Sequence, residues 1–262
     1  MKITCWNVNG LRSPSMSLIE NKQFNKECNL YKLVSEYDPD ILCFGETKCQ
    51  KKNENTFNEL LPFKFNIWNS STKKLGYSGV CVFSKYPFKN LGSIPGLESD
   101  EYGRNILLEF DKFILCHVYV PNSGGDKDSY RKDYWDNHIY NFLNIKQSKP
   151  IIYCGDLNIV HTDDDIYNTY PLKLGKSPGT KSYERENFQK LLDIGYTDAH
   201  RYLFPGQKLW TWWDPRSKAR LRDAGWRLDY FLVSDKQIIK DGTIHKDIYG
   251  SDHCPISLEI VL

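Results

Sequence analysis

Four short segments carry most of the side chains in this sequence that could do chemistry. In each, a carboxylate, an amide or a histidine adjoins an apolar run of strand length: Trp6–Arg12, Ile41–Lys48, Ile151–Asn158 and Ser251–His253. A fifth carboxylate, Asp229, begins another apolar run. A charge left unpaired beside a buried strand costs several kcal/mol, so these groups must be paired or used. Each segment alone is explained by a solvated strand end or a cap, but their recurrence favours one shared site.

The polar ends of these segments indicate a hard metal cation and hydrolysis. They offer oxygen ligands, and Mg²⁺ or Mn²⁺ binds one or two carboxylates together with waters. His253 follows Asp252, and a histidine among acids can carry or orient a proton. The amides of Asn7, Asn122 and Asn158 could orient carboxylates or phosphates without adding negative charge, although each by itself is typical of a turn. Together these groups predict a metal-assisted hydrolytic site.

A second feature is the aromatic and basic stretch Trp210–Arg222. Its basic residues suit phosphate contacts, and its tryptophans could stack on bases or wall a sugar pocket. The alternatives are core packing for the tryptophans and a solvated loop for the charges. More basic residues lie in loops near the acidic segments: Arg12, Lys48, Lys51, Lys52, Lys73 and Lys74. An acidic centre with a basic rim is what a nuclease needs, because a metal reduces repulsion at the scissile phosphate while the rim holds the strand.

Alternating strands and helices must position these segments. Apolar runs predict strands over Ile3–Val8, Ile41–Phe44, Phe65–Trp68, Gly79–Ser84, Asn105–Phe110, Phe113–Val120, Ile151–Cys154, Leu228–Val233 and Pro255–Val261. Apolar residues three and four apart predict helices over Asn29–Tyr37, Tyr130–Asn144 and Glu184–Leu192. Long polar loops are predicted over Lys48–Asn55, Asn69–Tyr77, Asn122–Asp128, Thr162–Ser182 and Asp214–Gly225. Asp111 and Lys112 join two strands as a hairpin, so the sheets are not purely parallel. We predict one α/β domain over residues 1–262, with the site on loops at strand ends.

The bulk composition is typical of a soluble globular protein: 262 residues, 40% hydrophobic and 26% charged. No stretch approaches the ~20 apolar residues of a membrane span, so no membrane association is expected. Met1–Asn7 lacks the basic region, long apolar region and small-residue cleavage site of a signal peptide. The net charge of +2 neither demands nor excludes nucleic acid, since a local basic face matters more than the total.

The eight cysteines favour a reducing, intracellular setting. Five of them lie in apolar runs, where a free cysteine behaves as a small hydrophobe: Cys5, Cys43, Cys81, Cys116 and Cys154. No CxxC pair occurs, so neither a zinc site nor a redox pair is expected.

Five motifs together resemble the exonuclease III family of apurinic/apyrimidinic endonucleases, within the endonuclease/exonuclease/phosphatase superfamily. They are Trp6–Arg12, Glu46–Lys48, Gly155–Asn158, Gly225–Phe231 and Gly250–Ile256, in an order that covers essentially the whole chain. Gly-Asp-Leu-Asn or Ser-Asp-His alone would fit the wider superfamily, whereas Gly-Trp-Arg-Leu-Asp-Tyr is much narrower and indicates the DNA-repair branch. The resemblance implies a four-layer α/β sandwich, with two mixed β-sheets packed face to face and helices outside.

The resemblance also implies a reaction and a metal site. The reaction is hydrolysis of the phosphodiester 5′ to an abasic site, leaving a 3′-hydroxyl, with 3′-5′ exonuclease or 3′-phosphodiesterase activity beside it. Glu46 would be the main ligand of Mg²⁺ or Mn²⁺, helped by Asp252 and by Asn9, which stands where some relatives have Asp. Further possible ligands are Asn7, Asp156, Asn158 and His253.

The resemblance assigns the catalytic roles as follows. His253 would contact the scissile phosphate, with Asp229 hydrogen-bonded behind it to set its tautomer and charge. Asp156 would activate or position the attacking water, and Asn158 would hold a phosphate oxygen. A further pair would stabilise the pentavalent transition state: Tyr119 and Asn122.

DNA contacts follow from the resemblance as well. Trp212, Trp226 and Leu228 would wall a pocket for a flipped-out sugar, which selects by exclusion because a sugar without a base is easy to unstack and small enough to enter. Arg216 would insert into the DNA from one groove. Basic side chains at the rim would complete the contact: Arg12 and Lys48.

The expected partner is double-stranded DNA that contains abasic sites or blocked 3′ ends. We expect a monomer, located in the cytoplasm of a prokaryote or the nucleus of a eukaryote. Two alternatives remain: another metal-dependent phosphodiesterase of the superfamily, acting on RNA, lipid or inositol headgroups, and a DNA-binding relative without catalysis.

Overall fold

The computed structural model describes residues 1–12, 19–20, 23–24, 28–125, 127–167 and 175–262. Its strands are β1 Lys2–Asn7, β2 Ile19–Glu20, β3 Gln23–Phe24, β4 Ile41–Gly45, β5 Phe65–Asn69, β6 Val80–Ser84, β7 Lys89–Gly92, β8 Asn105–Glu109, β9 Ile114–Tyr119, β10 Ile151–Asp156, β11 Thr197–Asp198, β12 Asp229–Val233, β13 Ile239–Ile244 and β14 Ile256–Ile260. Its α-helices are α1 Asn29–Tyr37, α2 Glu54–Leu60, α3 Lys127–Ser129, α4 Asp136–Leu143, α5 Ser182–Asp193 and α6 Ala199–Leu203, and a π-helical segment, Tyr130–Trp135, joins α3 to α4. Short 3₁₀ turns span Lys51–Asn53, Asp163–Asp165, Ala219–Arg222 and Lys236–Ile238.

Most of the strands form two mixed sheets. Within the described residues, the first sheet has the order β13-β14-β1-β4-β6-β5 and the second has the order β11-β12-β10-β9-β8-β7. Strand β1 is parallel to β4 and strand β9 is parallel to β10, while the other neighbours within the two sheets run antiparallel. The central strands β1, β4 and β10 are buried on both faces, which explains their continuous apolar sequences.

Helices cover the outer faces of both sheets. One core lies between the sheets, and a second lies under α1 and α2, where Leu33 and Phe57 pack with Phe44. A third lies under α4 and α5, where Phe142 and Phe188 pack in a cluster with Val118 of the second sheet. The resulting order of helix, sheet, sheet and helix confirms the predicted four-layer sandwich.

The differences from the predicted elements have local causes. Helix α2 overlaps the end of a predicted loop, because its seven residues contain too few apolar positions to show a helical period. Strand β13 is a mostly exposed edge strand, so it lacks an apolar run. The predicted helix Tyr130–Asn144 starts earlier and includes the π-helical segment. Part of the predicted loop Thr162–Ser182, residues 168–174, lies outside the described residues.

No helix in the described residues is both long enough and apolar enough to cross a membrane.

Candidate active site

The strand ends bring the predicted site residues to one edge of the sandwich. In the first sheet, Asn7 at the end of β1 pairs with Gly45, next to Glu46. In the second sheet, Asp156 at the end of β10 pairs with Tyr119 on one side and with Asp229 on the other. The terminal segment before β14 reaches the same edge, because β14 runs antiparallel to β1.

Several residues at this edge adopt left-handed backbone conformations. The φ angles are 48° at Asn9, 50° at Glu46 and 49° at Asn158. Such conformations cost roughly 1–3 kcal/mol each for a residue with a side chain, and they persist where surrounding structure fixes them. Here each residue turns the chain directly after a buried strand, so the strand ends aim side chains across the edge.

A buried trio of ionisable groups lies at the centre of the edge. His253 Nδ1 is 2.8 Å from Asp229 Oδ2, and His253 Nε2 is 3.8 Å from Asp156 Oδ2. All three residues are at most 5% exposed. The trio consists of two carboxylates and an imidazole, groups that can hold and transfer protons.

The pKa values of the trio are shifted in ways that suit this chemistry. Burial lowers the pKa of His253, but the charges of Asp229 and Asp156 outweigh it and raise the pKa to about 10. Burial raises the pKa of Asp156 to about 7, against the opposing charge of His253 and with the help of the Asp229 charge. Near neutral pH, His253 therefore holds its proton while Asp156 can gain or lose one.

Amides from both sheets hold the Asp156 carboxylate in place. Asn7 Nδ2 donates to its Oδ2 at 2.8 Å, which links the first sheet to the second. The Asn158 main-chain N–H donates to its Oδ1 at 2.8 Å, and Asn158 Nδ2 lies 3.4 Å from Oδ2. Asn158 Nδ2 also donates to the Val120 carbonyl at 2.8 Å, which fixes the amide. In the structure, the amides of Asn7 and Asn158 both contact the carboxylate of Asp156, while the contact of Asn158 with a phosphate oxygen stays a prediction.

Oxygen atoms beside the trio form a cation position. Lys48 Nζ lies 3.1 Å from Glu46 Oε1 and also hydrogen-bonds Asn9 Oδ1. Asn9 Nδ2 donates to Asp252 Oδ1 at 3.0 Å. The three predicted metal ligands are thus neighbours, and two of them already direct oxygens at a positive charge. Lys48, predicted to contact DNA, here points its ammonium into the acidic centre.

Asp252 is held in place by neutral donors. Trp212 Nε1 donates to its Oδ2 at 3.0 Å, and Ser251 Oγ lies 3.2 Å from its Oδ1. Burial raises the pKa of Asp252, but the charge of His253 and the hydrogen bonds from Trp212 and Asn9 outweigh it and lower the pKa. Asp252 therefore stays ionised at neutral pH.

Two clusters at this edge could hold a metal ion, and they differ in their chemistry. Ligand atoms of Asp156, Asp229 and His253 lie within 4.8 Å of one another. However, an imidazole must be unprotonated to bind a metal, and the two carboxylates keep His253 protonated. The oxygen cluster of Glu46, Asn9 and Asp252 has no such conflict and suits a hard divalent cation.

Aromatic side chains wall a hollow next to Asp252. The rings of Trp212 and Trp226 meet edge to face at 5.4 Å, and Leu228 is buried in the same apolar cluster. A cavity of about 290 Å³ opens against the two tryptophans, with Ser177 and Arg222 among its other walls. Trp210 and Trp213 are buried in core packing instead, so of the three tryptophans in the stretch Trp210–Arg222 only Trp212 lines the cavity.

Some of the basic residues face solvent, whereas another binds main-chain carbonyls inside the protein. Arg12 and Arg216 are exposed, and within the described chain neither forms a hydrogen bond or an ion pair with the central trio. Arg220, by contrast, donates to the carbonyls of Lys246 and Ile248 at 2.9 and 2.6 Å, so it holds a loop rather than facing solvent. Arg220 therefore differs from the predicted use of the basic residues in Trp210–Arg222 as phosphate contacts, because its guanidinium binds main-chain carbonyls.

The remaining predicted residues lie near the edge without joining the trio. Asn122 accepts a hydrogen bond from the Gly124 main chain at 2.8 Å, which is turn chemistry. Tyr119 is largely buried, and burial together with the charges of Glu46 and Asp156 raises the pKa of its hydroxyl well above the usual value. Tyr119 therefore remains a neutral hydrogen-bond donor at the edge.

Two supporting residues were not recognised in the sequence. Arg131, buried in the π-helical segment, donates to the carbonyls of Asn158 and Leu157 at 2.7 and 2.9 Å. Thr211 Oγ1 accepts the main-chain N–H of Asp229 at 3.1 Å. For Arg131, the sequence offered one indication, an arginine within an amphipathic helix pattern. For Thr211, the sequence offered no indication of its role.

Comparisons with known proteins concern the family and the fold of the chain. A model of the Endonuclease/Exonuclease/phosphatase family matches residues 4–253. An exodeoxyribonuclease of Bacillus subtilis is 38% identical over 99% of this chain and 99% of its own length. The DNA repair nuclease APEX1 of Danio rerio is 40% identical over 98% of this chain and 81% of its own length. The crystal structure of an AP endonuclease from Leishmania major superposes with a TM-score of 0.83 at 26% identity, covering 98% of this chain and 86% of that one.

Proposed function

This chain belongs to the endonuclease/exonuclease/phosphatase family, and on that premise we propose that it incises DNA 5′ to abasic sites to leave a 3′-hydroxyl. It is a phosphodiester-hydrolysing nuclease of the DNA base-excision repair type, as its relatives are named for exodeoxyribonuclease, DNA repair nuclease and AP endonuclease activity. We propose 3′-5′ exonuclease or 3′-phosphodiesterase activity beside the incision, which the exodeoxyribonuclease relative supports.

The cation site in this proposal consists of Glu46, Asn9 and Asp252. Oxygens of Glu46 and Asn9 already contact a cationic ammonium, and Asp252 is hydrogen-bonded to Asn9, which supports a hard ion there. When bound, Mg²⁺ or Mn²⁺ would neutralise charge on the phosphate and lower the pKa of a bound water. Lys48 would then move its ammonium to the rim and contact a DNA phosphate, since two cations would repel each other at one position.

The trio performs proton chemistry in this proposal. Asp156, whose pKa burial raises to about 7, takes the proton of the attacking water in its ionised form. His253 donates from Nε2 to a phosphate oxygen, because Asp229 fixes its protonated state and its ring orientation. Asn7 and Asn158 aim Asp156, and Asn158 can also meet a phosphate oxygen.

Selection of the abasic site rests on the hollow between Trp212 and Trp226. A flipped sugar without a base would enter it, supported from beneath by the buried Leu228. Exposed Arg12 and Arg216 would contact the DNA outside the hollow. Two more groups would stabilise the transition state once substrate is present: Tyr119 and Asn122.

One observation carries the proposal: a buried histidine lies between two buried carboxylates, 2.8 Å from Asp229 and 3.8 Å from Asp156. Hydrolysis of a phosphodiester requires a hydrogen-bond donor to the phosphate and a general base for the attacking water, and His253 and Asp156 supply these two groups. We further propose that residues 1–262 form one catalytic domain, that it acts as a monomer, and that it works in the cytoplasm or nucleus. Its eight free cysteines support a reducing compartment.

The test is incision of a labelled duplex that contains a single abasic-site analogue. We expect cleavage 5′ to the analogue with Mg²⁺, none after excess chelator, and far slower cleavage of the same duplex without the lesion. Binding without incision would instead indicate a DNA-binding relative. Activity confined to RNA or to lipid headgroups would indicate another phosphodiesterase, and either outcome refutes the proposal.

A further inference from the structure

A second cluster of possible ligands lies between the sheets, away from solvent. Cys5 of β1 pairs in register with Cys43 of β4, and Cys154 of β10 pairs in register with His117 of β9. Each sheet therefore contributes two adjacent side chains to the interior. All four residues are at most 1% exposed.

The four side chains converge on one point. One ligand atom from each lies within 4.8 Å of the other three. About 2.3 Å for each zinc–sulfur bond and about 2.0–2.1 Å for a zinc–nitrogen bond would place tetrahedral ligand atoms roughly 3.6–3.8 Å apart. The ligand atoms would therefore approach one another by at most about 1 Å on binding zinc.

His117 distinguishes this cluster from ordinary packing of cysteines. Cysteines in a core behave as small hydrophobes and need no ligand. A buried imidazole does need partners: His117 Nδ1 lies 3.3 Å from the Cys154 carbonyl oxygen, but Nε2 is buried with no hydrogen-bond partner in the described part of the chain. One ring nitrogen on a main-chain carbonyl and the other free is the arrangement of a metal-binding histidine.

We propose that Cys5, Cys43, Cys154 and His117 bind a structural Zn²⁺ ion that joins the two sheets. Three thiolates and an imidazole are a soft, tetrahedral donor set, which selects zinc over Mg²⁺ or Mn²⁺. On binding, each of the three thiols releases its proton to solvent, and His117 binds through neutral Nε2 while Nδ1 keeps its proton toward the carbonyl. All four positions come from protein, so the ion has no open site for substrate.

The site lies directly beneath the proposed active site. Side chains two residues apart on a strand face the same side of the sheet. Three of the zinc ligands each lie two residues before a residue of the active-site edge and on the same face: Cys5 before Asn7, His117 before Tyr119 and Cys154 before Asp156. The zinc would lie one strand repeat, roughly 7 Å, below the active-site edge. The lack of CxxC spacing does not bear on it, because four separate strands supply the ligands.

The test measures metal in the full-length protein after refolding with Zn²⁺ or Co²⁺ and removal of loosely bound ions with chelator. We expect one zinc per chain by mass spectrometry of metals, and a thiolate-to-cobalt charge-transfer absorption with the visible spectrum of tetrahedral Co²⁺. The variants Cys43→Ala and His117→Leu should lose the retained zinc and melt at lower temperature. The matched control is Cys116→Ala, which removes a buried thiol from the opposite face of β9. This variant should keep both the retained zinc and the charge-transfer absorption with cobalt.

Two results would overturn the proposal. One is a folded wild-type protein that retains no zinc and shows no charge-transfer absorption after refolding with either metal, a result that does not depend on any variant. The other is equal zinc retention by wild type, Cys43→Ala and His117→Leu. Glu46→Gln, which alters only the proposed catalytic cation site, should keep the full zinc content, so failure of the nuclease proposal would leave this result unaffected.

Discussion

Replacing Asp229 by Asn isolates the charge that keeps His253 protonated. The amide oxygen can still accept from His253 Nδ1, so the hydrogen bond remains and the negative charge is lost. Two unit charges about 4 Å apart interact by roughly 4 kcal/mol at an effective dielectric constant near 20, which corresponds to about three powers of ten in a proton equilibrium. We therefore expect Asp229→Asn to lower the pKa of His253 from about 10 to about 7.

The assay is the pH profile of single-turnover incision of an abasic duplex at saturating Mg²⁺. For wild type we expect activity to rise as Asp156 ionises near pH 7 and to fall as His253 loses its proton near pH 10. These limbs are properties of the coupled trio rather than of single residues. In Asp229→Asn the alkaline limb should move down to about pH 7, which predicts an activity loss of about 30-fold at pH 8.5 and only about twofold at pH 7.

Stability should depend on pH with the same sign. The pKa of His253 is raised above its ordinary value of 6.5, so the stabilisation from its charge pair is complete below pH 6.5 and is lost as the pH rises through about 10. The difference in unfolding free energy between wild type and Asp229→Asn should shrink over that interval. The matched control is Asp111→Asn, an exposed site in the β8–β9 turn, which should change neither profile. A folded Asp229→Asn protein with an unmoved alkaline limb would refute the reasoning.

Three further substitutions test other parts of the account. Glu46→Gln should raise the Mg²⁺ concentration needed for half-maximal incision by roughly 10–100-fold, the range for disturbed metal sites, and an unchanged Mg²⁺ titration would exclude Glu46 as a ligand. Trp226→Ala should narrow the preference for abasic over undamaged duplex by about tenfold or more at nearly unchanged Mg²⁺ affinity, which competition between two labelled duplexes measures. Gly155→Ala should cost more than about 3 kcal/mol in urea unfolding, because a Cβ would lie 2.0 Å from the Val118 carbonyl oxygen, whereas Gly195→Ala meets no atom within 4 Å and should cost less.

The residue pattern predicted one α/β domain with the site at strand ends, whereas the four layers followed from the family resemblance. Strands such as β1 and β10 are buried on both faces, so their apolar runs are visible without any knowledge of their partners. The polar residues that follow them in sequence must lie at the sheet edge, because the strand direction fixes where each strand ends. Edge strand β13 and short helix α2 escaped prediction, since their burial depends on neighbours that are distant in sequence.

Side-chain roles that depend on tertiary partners were not predictable from the residues alone. Arg220 and Arg216 lie in the same charge run, yet Arg220 is committed to main-chain carbonyls. The inward position of Lys48 depends on Asn9, which is 39 residues away in sequence. The cluster around His117 draws on four strands, so no local spacing could reveal it.

The most direct test of the central claim is to locate the oxygen that hydrolysis adds. Wild-type protein should incise a duplex with one abasic site in water enriched in the heavy oxygen isotope, and mass spectrometry should then examine both new ends. We expect the heavy isotope in the phosphate of the 5′-end product and an unlabelled 3′-hydroxyl on the other fragment, because a water positioned at Asp156 attacks phosphorus. An unlabelled phosphate with an unsaturated sugar at the 3′ end would show elimination instead, and would contradict a hydrolytic site at this edge of the sandwich.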